Sequence, residues 1–233
     1  MSVVRIAALQ KNYGALRPLR IRDLHVEAGE RVALGGLDGP AAEILVNLVT
    51  GTTLPDEGSV DTFGASTADM KDGDAWLASL DRFGIVTGRA VLLEGSTLQQ
   101  NLALPFALKL DPVPPEVVAL VAALAEECGI APAHLSRPAG DLPADVRARA
   151  HLARALALKP ELLLIEHPTA QVDEIARAAL ARDFAAAIDG RGTAALILTL
   201  DVDFAGQVAH RSLTLQPATG ALLPWKAKRG WFG

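Results

Sequence analysis

The chain is short of sulfur, rings and positive charge. Of its 233 residues one is a cysteine, Cys128, and one a tyrosine, Tyr13, and aromatic residues make up 4%. A single thiol excludes an internal disulfide and suits a reducing compartment. No apolar run approaches the roughly 20 residues needed to cross a bilayer, and Met1-Ser2-Val3-Val4-Arg5 carries no charged-then-apolar signal segment. The formal net charge of -5 argues against a nucleic-acid binder held by phosphate contacts. The expectation is a cytoplasmic protein whose membrane role, if any, comes through a partner.

What is present is hydrophobic and ordered. Half of the residues are apolar, enough for a sizeable core. Residues 3–9 and 19–28 read as strands parted by a turn around Asn12-Tyr13-Gly14. Residues 31–34, 83–87, 162–165 and 194–200 are short apolar runs fitting further strands, several of them buried, and Ser59 to Phe63 fits another after Pro55-Asp56-Glu57-Gly58. Helical periodicity covers residues 41–50, 116–128, 144–158 and 175–188, while 66–82 is polar and then weakly helical. Strands alternating with helices imply a parallel, helix-covered sheet.

One stretch carries the most chemistry. Val32 to Leu45 runs Val-Ala-Leu-Gly-Gly-Leu-Asp-Gly-Pro-Ala-Ala-Glu-Ile-Leu. It lies where strand passes to helix and has the frame of a phosphate-binding loop, G-x-x-x-x-G-K-[ST]. Gly36 and Gly39 keep the turn, but Ala42 holds the lysine place and Glu43 the hydroxyl place. Asp38 adds a second carboxylate, and Pro40 removes a backbone N–H from a loop that works by presenting them. Two like charges a few ångströms apart in a partly dry site repel by roughly 1–4 kcal/mol. The plain alternative is a strand–turn–helix joint with no ligand.

Taken in order, the segments resemble the nucleotide-binding subunit of an ABC transporter from about Ile6 to Leu223. Tyr13 stands where that family places a ring on adenine, Gly36 to Leu45 at the P-loop, and Val86-Thr87-Gly88 at the Q-loop. Leu142-Pro143-Ala144-Asp145-Val146 falls at the signature, normally LSGGQ, and Leu162 to Thr169 at the Walker B strand, normally ending D-E-P-T. Gln171-Val172-Asp173 matches the D-loop and Thr199-Leu200-Asp201 the H-loop. The resemblance implies an α/β fold of the P-loop NTPase kind: a mostly parallel sheet covered by helices, an N-terminal antiparallel β part, and a helical subdomain over about residues 89–158 of a single domain spanning 1–233.

The resemblance also implies ATP with magnesium as ligands, and it marks where binding should fail. Phosphoryl transfer is mostly positioning and charge neutralisation. Ala42 supplies no charge. Glu166 stands for the magnesium-linked aspartate with one methylene more, and His167 for the catalytic glutamate, where it reads most simply as a satisfied polar side chain at a strand end. Gly88 replaces the Q-loop glutamine. Leu200 replaces the H-loop histidine and, as an apolar residue at a strand end, reads as packing. At the signature, Asp145 would turn a negative charge toward a partner's phosphate. The nucleotide positions are therefore expected to bind ATP weakly or not at all.

The resulting reading is a pseudo-ATPase subunit that pairs with itself or with another ATPase subunit and docks a membrane-embedded permease beside the Q-loop, around Val91 to Phe106, at the inner face of the cell membrane. Two other readings stand beside it. One is an active ATPase using Glu166 and His167, and the other is a non-transport adaptor that uses the fold as a protein-binding platform. The tail Pro224 to Gly233 mixes cations with three aromatics, a composition suited to a membrane interface or a protein groove.

Overall fold

The computed structural model describes residues 2–69 and 72–225. The tail reading of cations among aromatics therefore lies, beyond Trp225, outside the described residues.

The first strands form an antiparallel sheet: β1 (Ser2–Lys11), β2 (Leu19–Glu27), β4 (Glu57–Thr62) and β5 (Ala65–Ser66), in the order β2-β1-β4-β5. A second sheet holds β3 (Arg31–Gly35), β6 (Phe83–Val86), β7 (Leu162–Glu166), β8 (Ala194–Leu198), β9 (Arg211–Gln216) and β10 (Ala221–Pro224), in the order β10-β9-β3-β8-β7-β6. All neighbours in it are parallel except the terminal hairpin of β9 and β10. The helices are α1 (Gly39–Val49), α2 (Gly73–Leu80), α3 (Leu98–Ala103), α4 (Pro115–Glu127), α5 (Ala144–Leu156), α6 (Glu174–Arg191) and α7 (Val202–Val208).

The parallel strands are apolar on both faces because both faces are covered. Val32 and Leu34, Leu162 and Leu164, and Leu196 and Leu198 point into a core shared with α1 and the antiparallel sheet. Their alternates Ala33, Leu163, Ile165, Ala195 and Ile197 point into a second core with the helices from α3 onward. The segment from α3 to α5 is inserted between β6 and β7. Leu124 and Val121 of α4, Leu152 of α5, and Phe184 of α6 all enter that second core. Phe184 meets Phe204 of α7 edge-on at 5.6 Å.

The apolar runs predict their strands to within two residues at most ends, and the four periodic segments form helices. The run from Ala194 is shorter than expected. β8 stops at Leu198, so Leu200 lies in a loop, 62% exposed, and does not pack.

Candidate functional site

Strand register gathers the predicted positions along one edge. Leu198 of β8 pairs with Leu34 of β3 and with Glu166 of β7, and Val86 of β6 pairs with Ile165. The loops after β3, β6, β7 and β8 thus leave the carboxyl ends of adjacent parallel strands, the crevice where open α/β sheets hold ligands. Backbone bonds lock them together: the Thr199 N–H donates to the Leu34 carbonyl (3.2 Å) and the His167 N–H to the Leu198 carbonyl (2.8 Å).

The turn after β3 is tightly built. Gly36 has φ of 84°, and a Cβ there would lie 2.8 Å from the Leu215 carbonyl oxygen, so both its conformation and its space demand glycine. A Cβ on Gly35 would meet the Trp225 ring at 2.7 Å. Asp38 caps α1, its carboxylate accepting the Ala41 N–H at 2.9 Å. That N–H is one of the donors a helix N-terminus offers to an anion, and here the chain's own anion takes it. Pro40 offers none. Ala42 is wholly buried in the core below the turn.

The two carboxylates facing each other across the site do not stand free. Arg89, one residue past Gly88, reaches between them. Its Nη2 donates to Glu166 Oε1 and Oε2 at 2.6 and 2.8 Å, and its Nη1 pairs with Glu43 Oε2. The Thr87 hydroxyl accepts from both the Arg89 N–H and its Nε at 3.3 Å, aiming the side chain. Glu166 is only 6% exposed, whereas Arg89 and Glu43 are about half open. Burial raises the Glu166 carboxyl above its ordinary range; Arg89 works against that shift and Glu43 adds to it. Sequence reasoning missed Arg89. Its only signal was an arginine flanking the Q-loop position in a chain that had gained a carboxylate at the P-loop.

The remaining positions divide. Tyr13 sits partly buried against the core and close enough to Asp38 for that charge to raise its hydroxyl pKa, though burial contributes more. The ring position and the phosphate turn therefore share one neighbourhood. His167 has φ of 43°, unusual for a side chain of its size, and its Nε2 is buried without a hydrogen-bond partner. It is thus not the satisfied side chain expected. Asp145 does not stand free to face a partner, because Arg149 binds it one turn along α5 at 2.7 Å and ties it toward Asp183. Pro143 caps α5 with no side-chain hydrogen bond, Leu142 and Val146 pack inward, and Ala144 borders the cleft. A Cβ added to Gly88 would meet open space.

A cleft of about 790 Å³ runs from Gly39, Pro40 and Glu43 past Gly88 and Arg89 to Ala144 and Arg147 of α5 and on to Gln171. A smaller hollow of about 290 Å³ adjoins it between Ile85, Pro105, Arg154 and Leu158, and His151 lines both. A triphosphate with magnesium does not fit the groups present. The lysine place is an interior alanine, the hydroxyl place is a carboxylate already paired, and the Walker B carboxylate is engaged by a guanidinium. Among the described residues no three His, Cys, Asp or Glu side chains are grouped to hold a metal.

Comparison with known proteins gives this edge a context. The ABC transporter family model matches residues 19–170. The Fe(3+) ions import ATP-binding protein FbpC of Mesorhizobium japonicum is 30% identical over 90% of this chain and 58% of its own length. The lipoprotein-releasing system ATP-binding protein LolD of Alcanivorax borkumensis is 29% identical over 87% of this chain and 88% of its own. The chain thus spans little more than half of some of the relatives it matches. Among solved structures, the dimeric post-hydrolysis state of the ATP-binding cassette MJ0796 with ADP and Pi superposes with a TM-score of 0.76 at 19% identity, covering 97% of this chain and all of that one. Clostridium perfringens cbiO1, part of the transporter complex cbiONQ, gives 0.78 at 17% over 95% and 87%.

Proposed function

The chain belongs to the ABC transporter family and has the fold of its ATP-binding cassettes, and from that premise we propose that it is a noncatalytic cassette, a nucleotide-binding-type subunit that pairs with a second such subunit and docks a membrane permease without hydrolysing ATP itself. The observation that carries the reading is the state of the phosphate turn: Asp38 takes the Ala41 N–H, Pro40 has none to give, and Ala42 lies inside the core. The charged lysine that a working P-loop brings to the β- and γ-phosphates is replaced by the buried Ala42, and its hydroxyl residue by the carboxylate of Glu43. Phosphoryl transfer rests on that charge, so binding of ATP with magnesium is weak or absent and turnover is lost with it.

The permease would meet the chain beside the β6–α3 loop. Val91 is 73% exposed there and Leu93 is open beside it, and Ile85 and Leu158, which line the smaller hollow, are open as well. Apolar side chains left uncovered together suit a protein partner. No helix among the described residues is long and apolar enough to cross a membrane, so a place at the inner membrane face would come through that partner. Calorimetric titration of ATP-magnesium into the full chain tests the first half, and a low-micromolar dissociation constant overturns it. Purification from native membranes tests the second, with co-purification of an integral membrane protein as the expected result.

A further inference from the structure

We propose that Arg89 is a built-in counter-cation, a guanidinium standing between Glu43 and Glu166 that ties the β6–α3 loop to α1 and β7. The inference deepens the noncatalytic reading and rests on it for its consequence, while its geometry stands alone. Three elements remote in sequence converge on one side chain. Glu43 comes from the first turns of α1, Glu166 from the last residue of β7, and Arg89 from the loop after β6.

Glu166 is nearly buried, and a buried carboxylate needs a partner to stay charged. Glu43 alone would aggravate that need, since the two carry the same sign. Arg89 relieves both at once, its Nη2 making two bonds to one carboxylate and its Nη1 pairing with the other. The P-loop hydroxyl and the Walker B carboxylate are the positions that hold magnesium in P-loop proteins, so a monovalent cation covalently part of the chain occupies the space between them. A resident ion cannot leave with product. The loop it anchors, residues 87–97, leads directly into the exposed Val91 and Leu93 and the cap of α3. That loop is therefore held in one position continuously, and the face proposed for the permease is presented without a nucleotide cycle.

Hydrogen exchange on the full chain, free of nucleotide, tests this. Arg89→Met removes the charge and keeps the length. Exchange over 87–97 is expected to quicken by about tenfold or more, with much smaller change in β3 and β8. Arg89→Lys keeps the cation and is expected to retain part of the protection. Glu43→Gln, at a half-exposed position, is expected to quicken exchange in the same loop by a lesser factor. Unchanged exchange over 87–97 in both Arg89→Met and Glu43→Gln overturns the proposal, as does equal loss in the Met and Lys variants, which would make the role one of shape. The outcome is separable from the reading it extends. If wild-type protein binds ATP-magnesium tightly while Arg89→Met still frees the loop, the noncatalytic reading falls and the tether stands.

Discussion

Ala42, Asp38 and Gly35 define the phosphate turn one residue at a time. Replacing Ala42 by Lys and Glu43 by Ser restores the two missing side chains of the motif, yet no ATP hydrolysis is expected from that double variant. Asp38 would still occupy the Ala41 N–H, and His167, Gly88 and Leu200 would still lack the family's groups. Phosphate release above background would show the deficit to be shallower than described. Gly35 is constrained from the other side. Gly35→Val drives a side chain into the Trp225 ring and should cost about 1–3 kcal/mol in urea denaturation. Trp225→Ala in the same chain should return a good part of it, a coupling that a double-mutant cycle reads directly. The departures of Ala42, Glu43 and Leu200 from the family's pattern were legible in the sequence, since a motif fixes which residue type each position needs. Arg89 was not, because Glu166 lies 77 residues from it and only strand register brings the two together. Asp145 was expected to face a partner's phosphate, and its pairing with Arg149 one turn along α5 was not drawn from the sequence.

At the scale of elements, α5 carries a titratable side chain that the site does not use. His151 lies between the two hollows, and burial, with Arg154 and Arg147 along the same helix, lowers its pKa to about 4. The folded chain therefore binds this proton less readily than the unfolded one. The stability it contributes is complete above an unfolded value of about 6.5 and drains away as pH falls toward 4, by up to about 3 kcal/mol. His151→Gln should flatten that part of the profile, which urea denaturation at pH 7 and at 4.5 would register. The apolar runs made the parallel strands legible, because strands covered on both faces are continuous in hydrophobicity. α3 was missed because six residues show no period, although Thr97 and Gln100 form a capping box at its start. α7, β9 and β10 escaped for a similar reason. They are short, and the terminal hairpin is only partly buried.

Across the whole molecule, two cores on opposite faces of one sheet hold the edge that carries the site. Anything that binds the folded state raises its melting temperature by mass action. Millimolar ATP-magnesium is accordingly expected to leave the thermal midpoint of this chain where it was. An upward shift of several degrees would contradict the account of the phosphate turn. The order of strands and helices implied the parallel, helix-covered sheet, and the family resemblance supplied the antiparallel part, but the pairing of charges across them depends on distances no linear pattern encodes. On the noncatalytic reading proposed above, the bridge made by Arg89 also sets the terms on which hydrolysis could return. Removing the arginine first leaves Glu43 opposing the nearly buried Glu166 with no cation between them. Removing Glu43 first frees the turn but leaves the guanidinium on Glu166, in the way of any metal. Each single reversal is thus either damaging or fruitless, and only several at once would lead back.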